Sequence, residues 1–173
     1  MYHFLSYPLL IIKAPLLILY LQMFIFVQFI HPLLFCTLML RSLLPKIDEL
    51  RALCQAEKPH CVCIVESWLS QDISNSELFI PNYTIVRHDR NRHGGGVLIY
   101  SLSALSTNTV FKGSVDLELL IVSLNVSGSS VVVALMYRPP NVSDSVFDDL
   151  FLFCAIVSMS LCSIILYLLV ILM

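Results

Sequence analysis

The stretch Arg41-Ser-Leu-Leu-Pro-Lys-Ile-Asp-Glu-Leu-Arg-Ala-Leu-Cys-Gln-Ala-Glu-Lys-Pro-His-Cys-Val-Cys-Ile-Val-Glu66 changes its hydrophobic period midway. Leu43, Ile47, Leu50 and Cys54 recur at steps of four, three and four, with Asp48, Glu49, Arg51 and Glu57 between them. That spacing predicts an amphipathic helix, with Pro45 tolerated in its first turn and Pro59 ending it. Cys61 to Val65 is then a short continuous apolar run, the pattern of a buried strand, and it closes on the carboxylate of Glu66. Helix followed by buried strand makes this an α/β chain.

The pattern continues downstream. Tyr83 to Arg87 reads as a second strand, His88 to His93 as a polar loop, and Gly94-Gly95-Gly96 leads into a third strand, Val97 to Tyr100. Leu117 to Val126 and Val131 to Tyr137 are β-rich runs joined by Ser127-Gly-Ser-Ser130, a hairpin signal. One helix and at least five strands predict a mixed or largely antiparallel α/β sheet.

Outside this unit the composition changes. The chain has 173 residues, is 58% hydrophobic and 13% charged, and its mean hydropathy is +0.85. An average globular chain is roughly 45–50% apolar and about 25% charged. All charged residues except Lys13 lie between Arg41 and Asp149. A formal charge of −2 excludes a strongly basic nucleic-acid binder. Leu150 to Met173 carries no charge, Pro or Gly, long enough for a membrane-spanning helix. Residues 1–40 read as a second apolar helical segment, a signal anchor rather than a cleaved signal peptide. Arg41, Lys46, Arg51 and Lys58 follow that segment, so residues 41–149 are expected to face the cytoplasm. The triplets beginning at Asn82, Asn125 and Asn141 are glycosylation acceptors only if that region faces a lumen. Cys36, Cys154 and Cys162 sit in the apolar ends as small hydrophobes. Cys61 and Cys63 point to one face of their strand, beside His60, but lack a second pair at finger-like spacing.

Three places carry chemistry. Glu66 is either a hard oxygen ligand for Mg²⁺ at a strand end or a solvated carboxylate where the strand stops. Tyr137-Arg138-Pro139-Pro140 closes another strand, with a phenol able to reach a phosphate or simply marking a strand-to-loop boundary. Arg87, Arg90 and Arg92, with His88 and His93, form a cation cluster beside three glycines, either a phosphate contact or a solvated hairpin. No nucleotide P-loop motif is present.

The ordered blocks Arg41-Ser-Leu-Leu-Pro-Lys-Ile-Asp-Glu-Leu50, Ile64-Val-Glu-Ser-Trp-Leu69, Ile80-Pro-Asn-Tyr83, Arg87-His-Asp-Arg with Gly94-Gly-Gly-Val-Leu-Ile-Tyr100, and Tyr137-Arg-Pro-Pro140 resemble the endonuclease domain of non-LTR (LINE-type) retrotransposons, in the endonuclease/exonuclease/phosphatase superfamily. The resemblance implies a partial four-layer α/β sandwich at residues 41–149, flanked by the apolar helical segments 1–40 and 150–173. It implies a Mg²⁺-dependent phosphodiesterase acting on DNA, with Glu66 as metal ligand and Tyr137 as the active-site tyrosine at the scissile phosphate. No small-molecule substrate is implied. Met39 stands where the family has an asparagine, and the family's Gly-Asp-x-Asn and Ser-Asp-His blocks have no counterpart; Phe147-Asp-Asp-Leu150 runs directly into the apolar tail. Those blocks supply the family's general base and further metal ligands. The expectation is therefore a truncated, inactive endonuclease domain; the alternative is a small membrane protein with a non-catalytic cytoplasmic domain.

Overall fold

The computed structural model describes residues 24–30, 33–113, 117–138 and 165–172, with side chains described for 33–113 and 117–137. The helix forms as the spacing predicts. A 3-10 turn at Leu44–Lys46 holds Pro45, and α1 spans Ile47–Glu57 with Ile47, Leu50 and Cys54 buried. Asp48 and Glu49 lie in its first turn, where carboxylates oppose the helix dipole. Lys58 turns left-handed at its end, donating its N–H to the Cys54 carbonyl at 3.1 Å, and Pro59 prevents continuation.

Two sheets pack face to face. The first has the order β1 (Phe24–Ile30), β2 (Leu33–Met39), β3 (Cys61–Val65), β5 (Val97–Leu102), β4 (Tyr83–His88), with β2 and β3 parallel and the other pairs antiparallel. The second has the order β6 (Asn108–Lys112), β7 (Glu118–Val126), β8 (Ser129–Arg138), β9 (Ile165–Leu172). Side chains alternate across each strand, and this sorts them into two cores. Val62, Ile64, Leu98 and Tyr100 face α1 and the loop carrying Leu69, Ile73 and Leu78. Cys61, Cys63, Val65, Val97 and Ile99 face Leu120, Val122, Val133, Leu135 and Tyr137 of the second sheet. Helix, sheet and sheet are three layers of the expected sandwich. On the outward face of β7 and β8, Leu119, Ile121, Val132 and Met136 are buried as well.

The expected apolar helices are corrected where the structure describes them. Residues 24–30 and 33–39 form an antiparallel hairpin, and β2 sits in the interior of the first sheet beside β3. Residues 165–172 form β9, parallel to β8. At β2 the physical reason is that a strand buried on both faces is apolar at nearly every position, so its run reads like a spanning helix. Among the described residues no helix is long and apolar enough to cross a membrane. Residues 1–23 and 139–164 lie outside the described residues. With them lie parts of the expected apolar segments, Pro139-Pro140, the Asn141 triplet, Phe147 to Leu150, Cys154 and Cys162.

His60 fixes the start of β3 against β2: its N–H donates to the Leu34 carbonyl at 2.9 Å, and its Nδ1 accepts from the Leu34 N–H at 3.1 Å. Cys61 and Cys63 do share a face, with their Sγ atoms 3.9 Å apart in the inter-sheet core. Burial pushes the Cys36 and Cys54 thiols up to about 12, so both behave as hydrophobes at neutral pH.

Because β2 is an interior strand, Leu38→Ala should cost about 2–5 kcal/mol in chemical denaturation, the range for emptying a packed leucine site. An unchanged midpoint would mean that this segment stands apart from the sheet.

Candidate active site

Glu66 follows the last residue of β3, and the backbone leaves the strand there by an unusual route. Glu66 (φ +57°) and Trp68 (φ +53°) both take left-handed conformations, which cost a non-glycine residue about 1–3 kcal/mol each. Four backbone hydrogen bonds hold them. On one side the Ser42 and Leu43 N–H groups donate to the Glu66 and Ser67 carbonyls at 3.0 and 2.9 Å. On the other, the Ser67 and Trp68 N–H groups donate to the Gly96 and Gly95 carbonyls at 3.1 and 3.0 Å. The segment is thus threaded between the end of β2 and the triple-glycine loop.

This route aims the Glu66 carboxylate at the gap between the sheets. Its Oε2 accepts from the Trp68 indole Nε1 at 2.5 Å and from the Gly95 N–H at 3.0 Å. The Tyr137 hydroxyl, from the end of β8 in the other sheet, also hydrogen-bonds to Glu66. Burial raises the Glu66 pKa, but bonds from Tyr137, Trp68 and Gly95, with the field of Arg90, outweigh it and hold the carboxyl below its ordinary value. Burial and the adjoining carboxylate push Tyr137 well above the ordinary phenol range, so it stays protonated and donates. The two residues joined by the resemblance, from opposite sheets, therefore touch.

A second acid completes the cluster. Glu118 opens β7, opposite Tyr137 in the strand register, and only 1% of it is exposed. Its Oε1 accepts from Arg90 Nη1 at 2.8 Å and its Oε2 from the Gly96 N–H at 2.6 Å. Burial raises its pKa, and the bonds from Gly96 and Arg90 only partly offset this. The sequence reading did not single out Glu118. The signal was present: Glu118 is in phase with Leu120, Val122 and Leu124, so the strand period carries it inward.

The glycines serve these carboxylates. Gly95 (φ +72°) and Gly96 (φ +84°) take conformations that favour glycine. A Cβ on Gly95 would lie 2.5 Å from Glu118 Oε1 and 2.6 Å from Arg90 Cδ; one on Gly96 would lie 2.6 Å from Ser67 Oγ. That Ser67 hydroxyl is buried and, among the described residues, has no hydrogen-bond partner.

The arginine cluster is divided among different tasks. Arg87 bonds to both Asp89 oxygens, to the Ile73 and Ser70 carbonyls and to Asn75, pinning the loop after Trp68. Arg90 is held by Glu118. Arg92 bonds to Ser70 Oγ and to Asp72 at the exposed surface.

The resemblance implies Mg²⁺ at Glu66, so the donor set must be asked whether it fits. Mg²⁺ demands near-octahedral hard oxygen donors, usually one or two carboxylates with waters and substrate phosphates. Here Glu66 already accepts from three donors, and both oxygens of Glu118 are engaged, one by a guanidinium. Met39, which pairs with Val65 on the adjacent strand, offers a soft thioether instead of an amide oxygen. Among the described residues no three ligand-type side chains come together. These residues do not form a Mg²⁺ site by themselves.

The two-sheet α/β sandwich is shared with a solved structure. A humanized D. rerio TDP2 superposes with a TM-score of 0.51 at 12% identity, covering 72% of this chain and 57% of that one. The AP endonuclease LMAP from Leishmania major gives 0.49 at 20% identity, covering 61% of this chain and 40% of that one. D. rerio TDP2 complexed with a single-strand DNA product gives 0.48 at 12%, covering 71% and 51%. The chain thus spans well under two thirds of these proteins. At such identities the likeness shows a shared fold alone. No family model matches the chain, and no curated protein matches it.

Two outcomes test this geometry. Gly95→Ala should destabilise the fold by roughly 1–3 kcal/mol from its φ alone, with the clash against Glu118 added; an unchanged melting temperature would refute the close approach. Trp68 is the single tryptophan, so its emission should report Glu66 protonation with a midpoint below the ordinary value of 4.5. A folded pKa depressed in this way gives stability that is present above the unfolded value and lost as pH falls through the folded one. A midpoint above 4.5 would contradict the assigned hydrogen bonds.

Proposed function

We propose that the chain carries part of a retrotransposon-type endonuclease domain that engages the DNA phosphate backbone and does not cut it. The observation that carries this reading is the contact between Glu66 and Tyr137 across the two sheets, at positions taken independently from the ordered sequence blocks. In the family the bound metal stabilises charge on the transferring phosphoryl group. No step is assigned to it here, because the described donors do not assemble a site for it.

Catalysis needs more than this pair. A general acid or base contributes typically 10²–10⁴-fold, and neither Glu66, whose carboxylate is hydrogen-bonded, nor Tyr137 is free to supply one. Tyr137 is a neutral phenol whose single O–H is given to Glu66, so it does not activate water. Arg92 is the arginine best placed for a phosphate: its side chain is 58% exposed, and its partner Asp72 is 61% exposed. Such an exposed pair is weak and readily exchanged for a phosphate. Arg87 is committed to the loop it pins. The alternative of a membrane protein with a cytoplasmic domain draws on apolar ends whose described parts, 24–30, 33–39 and 165–172, are strands, and no observation favours it.

The full chain should bind a DNA duplex weakly and with strong salt dependence, and should not nick supercoiled plasmid in Mg²⁺. Arg92→Ala should weaken binding and flatten the log–log salt slope by about one. Mg²⁺-dependent nicking abolished by Glu66→Ala would overturn the inactive reading. Binding undetectable even at low salt would overturn the DNA reading.

A further inference from the structure

We propose that Arg90 is the resident cation of this site: its guanidinium takes the electrostatic place that a divalent metal would hold between Glu66 and Glu118. The inference rests on reading Glu66 as the family's metal position, and it explains why the donor set does not fit a metal.

Three charged groups meet at one glycine. The Gly95 N–H bonds to Glu66 Oε2 at 3.0 Å. A Cβ at Gly95 would lie 2.5 and 2.8 Å from the two Glu118 oxygens and 2.6 Å from Arg90 Cδ. Arg90 Nη1 is 2.8 Å from Glu118 Oε1. Two carboxylates that converge on one glycine either share a proton or take a positive charge beside them, and the charge here is Arg90, bonded to Glu118. A guanidinium cannot lose its proton in a protein, so this charge is permanent. The polypeptide thus supplies in one side chain what a metal site would draw from solution. A cation entering from solvent has to work against Arg90, and the acid pair stays together without one.

The natural reporter is Trp68, whose indole lies 2.5 Å from Glu66. Terbium(III) seeks hard oxygen ligands, and its emission is excited through a nearby indole, so titration of the full chain reads occupancy at Glu66 directly. Arg90→Gln should bind terbium at least about tenfold more tightly than the wild type, the scale on which one neighbouring charge shifts an ionisation equilibrium. Adding Glu66→Gln should abolish the gain. Since Arg90→Gln strands a buried carboxylate and can unfold the chain, a second comparison uses Glu118→Gln against Arg90→Gln/Glu118→Gln. These two differ only in the Arg90 charge, and the double variant should again bind more tightly. Equal affinity within either pair of folded proteins overturns the proposal, as does saturable wild-type binding that Glu66→Gln removes and Arg90→Gln does not strengthen. That last result would leave the endonuclease-type reading standing. Loss of DNA binding with the terbium order intact would sink that reading alone.

Discussion

The Glu66 carboxylate is a buried charge at the seam of two sheets, and satisfying it constrains everything around it. An ionised group taken from water must be hydrogen-bonded and paired or it destabilises the fold by several kcal/mol. Glu66 is satisfied by an indole two residues on, a backbone N–H from a glycine loop and a phenol from the opposite sheet. To present those donors, the backbone after β3 turns left-handed twice, the loop before β5 closes on three glycines, and β8 carries Tyr137 next to its last residue. Removing any of these demands leaves the others without a reason.

The same logic extends to Glu118. It lies across the strand ladder from Tyr137, so the two acids approach each other from different sheets. Gly96 and Arg90 hold Glu118 as Gly95 and Trp68 hold Glu66. The triple-glycine loop is therefore a clip whose consecutive N–H groups each take one carboxylate. This is a different use of glycine from cradling a phosphate, although the physical requirement of close backbone approach is the same.

Much of this was legible in the residues. The helix at Ile47–Glu57, the strand at Cys61–Val65 and the hairpin after Val126 follow from period and turn chemistry. The ordered blocks also single out Glu66 and Tyr137, two side chains that the fold brings together. The runs of β1, β2 and β9 read as helices, because each is continuously apolar and lacks the alternation that marks a half-exposed sheet. The exposed edge strand β6 had no apolar pattern to announce it. The three arginines looked alike in sequence, and only the fold shows that one staples a loop, one neutralises a buried acid and one stays at the surface. That division depends on where Asp72, Asp89 and Glu118 arrive in space, which no local pattern encodes.

The central claim is that Glu66 and Tyr137 join the two sheets energetically and do not merely lie close. A double-mutant cycle of Glu66→Gln, Tyr137→Phe and the double variant, followed by denaturant unfolding, measures this directly. The account requires a coupling energy within about 0.5–3 kcal/mol, the range for groups sharing one hydrogen-bond network. Additive effects would show that the two side chains act independently, and the site as described would not exist.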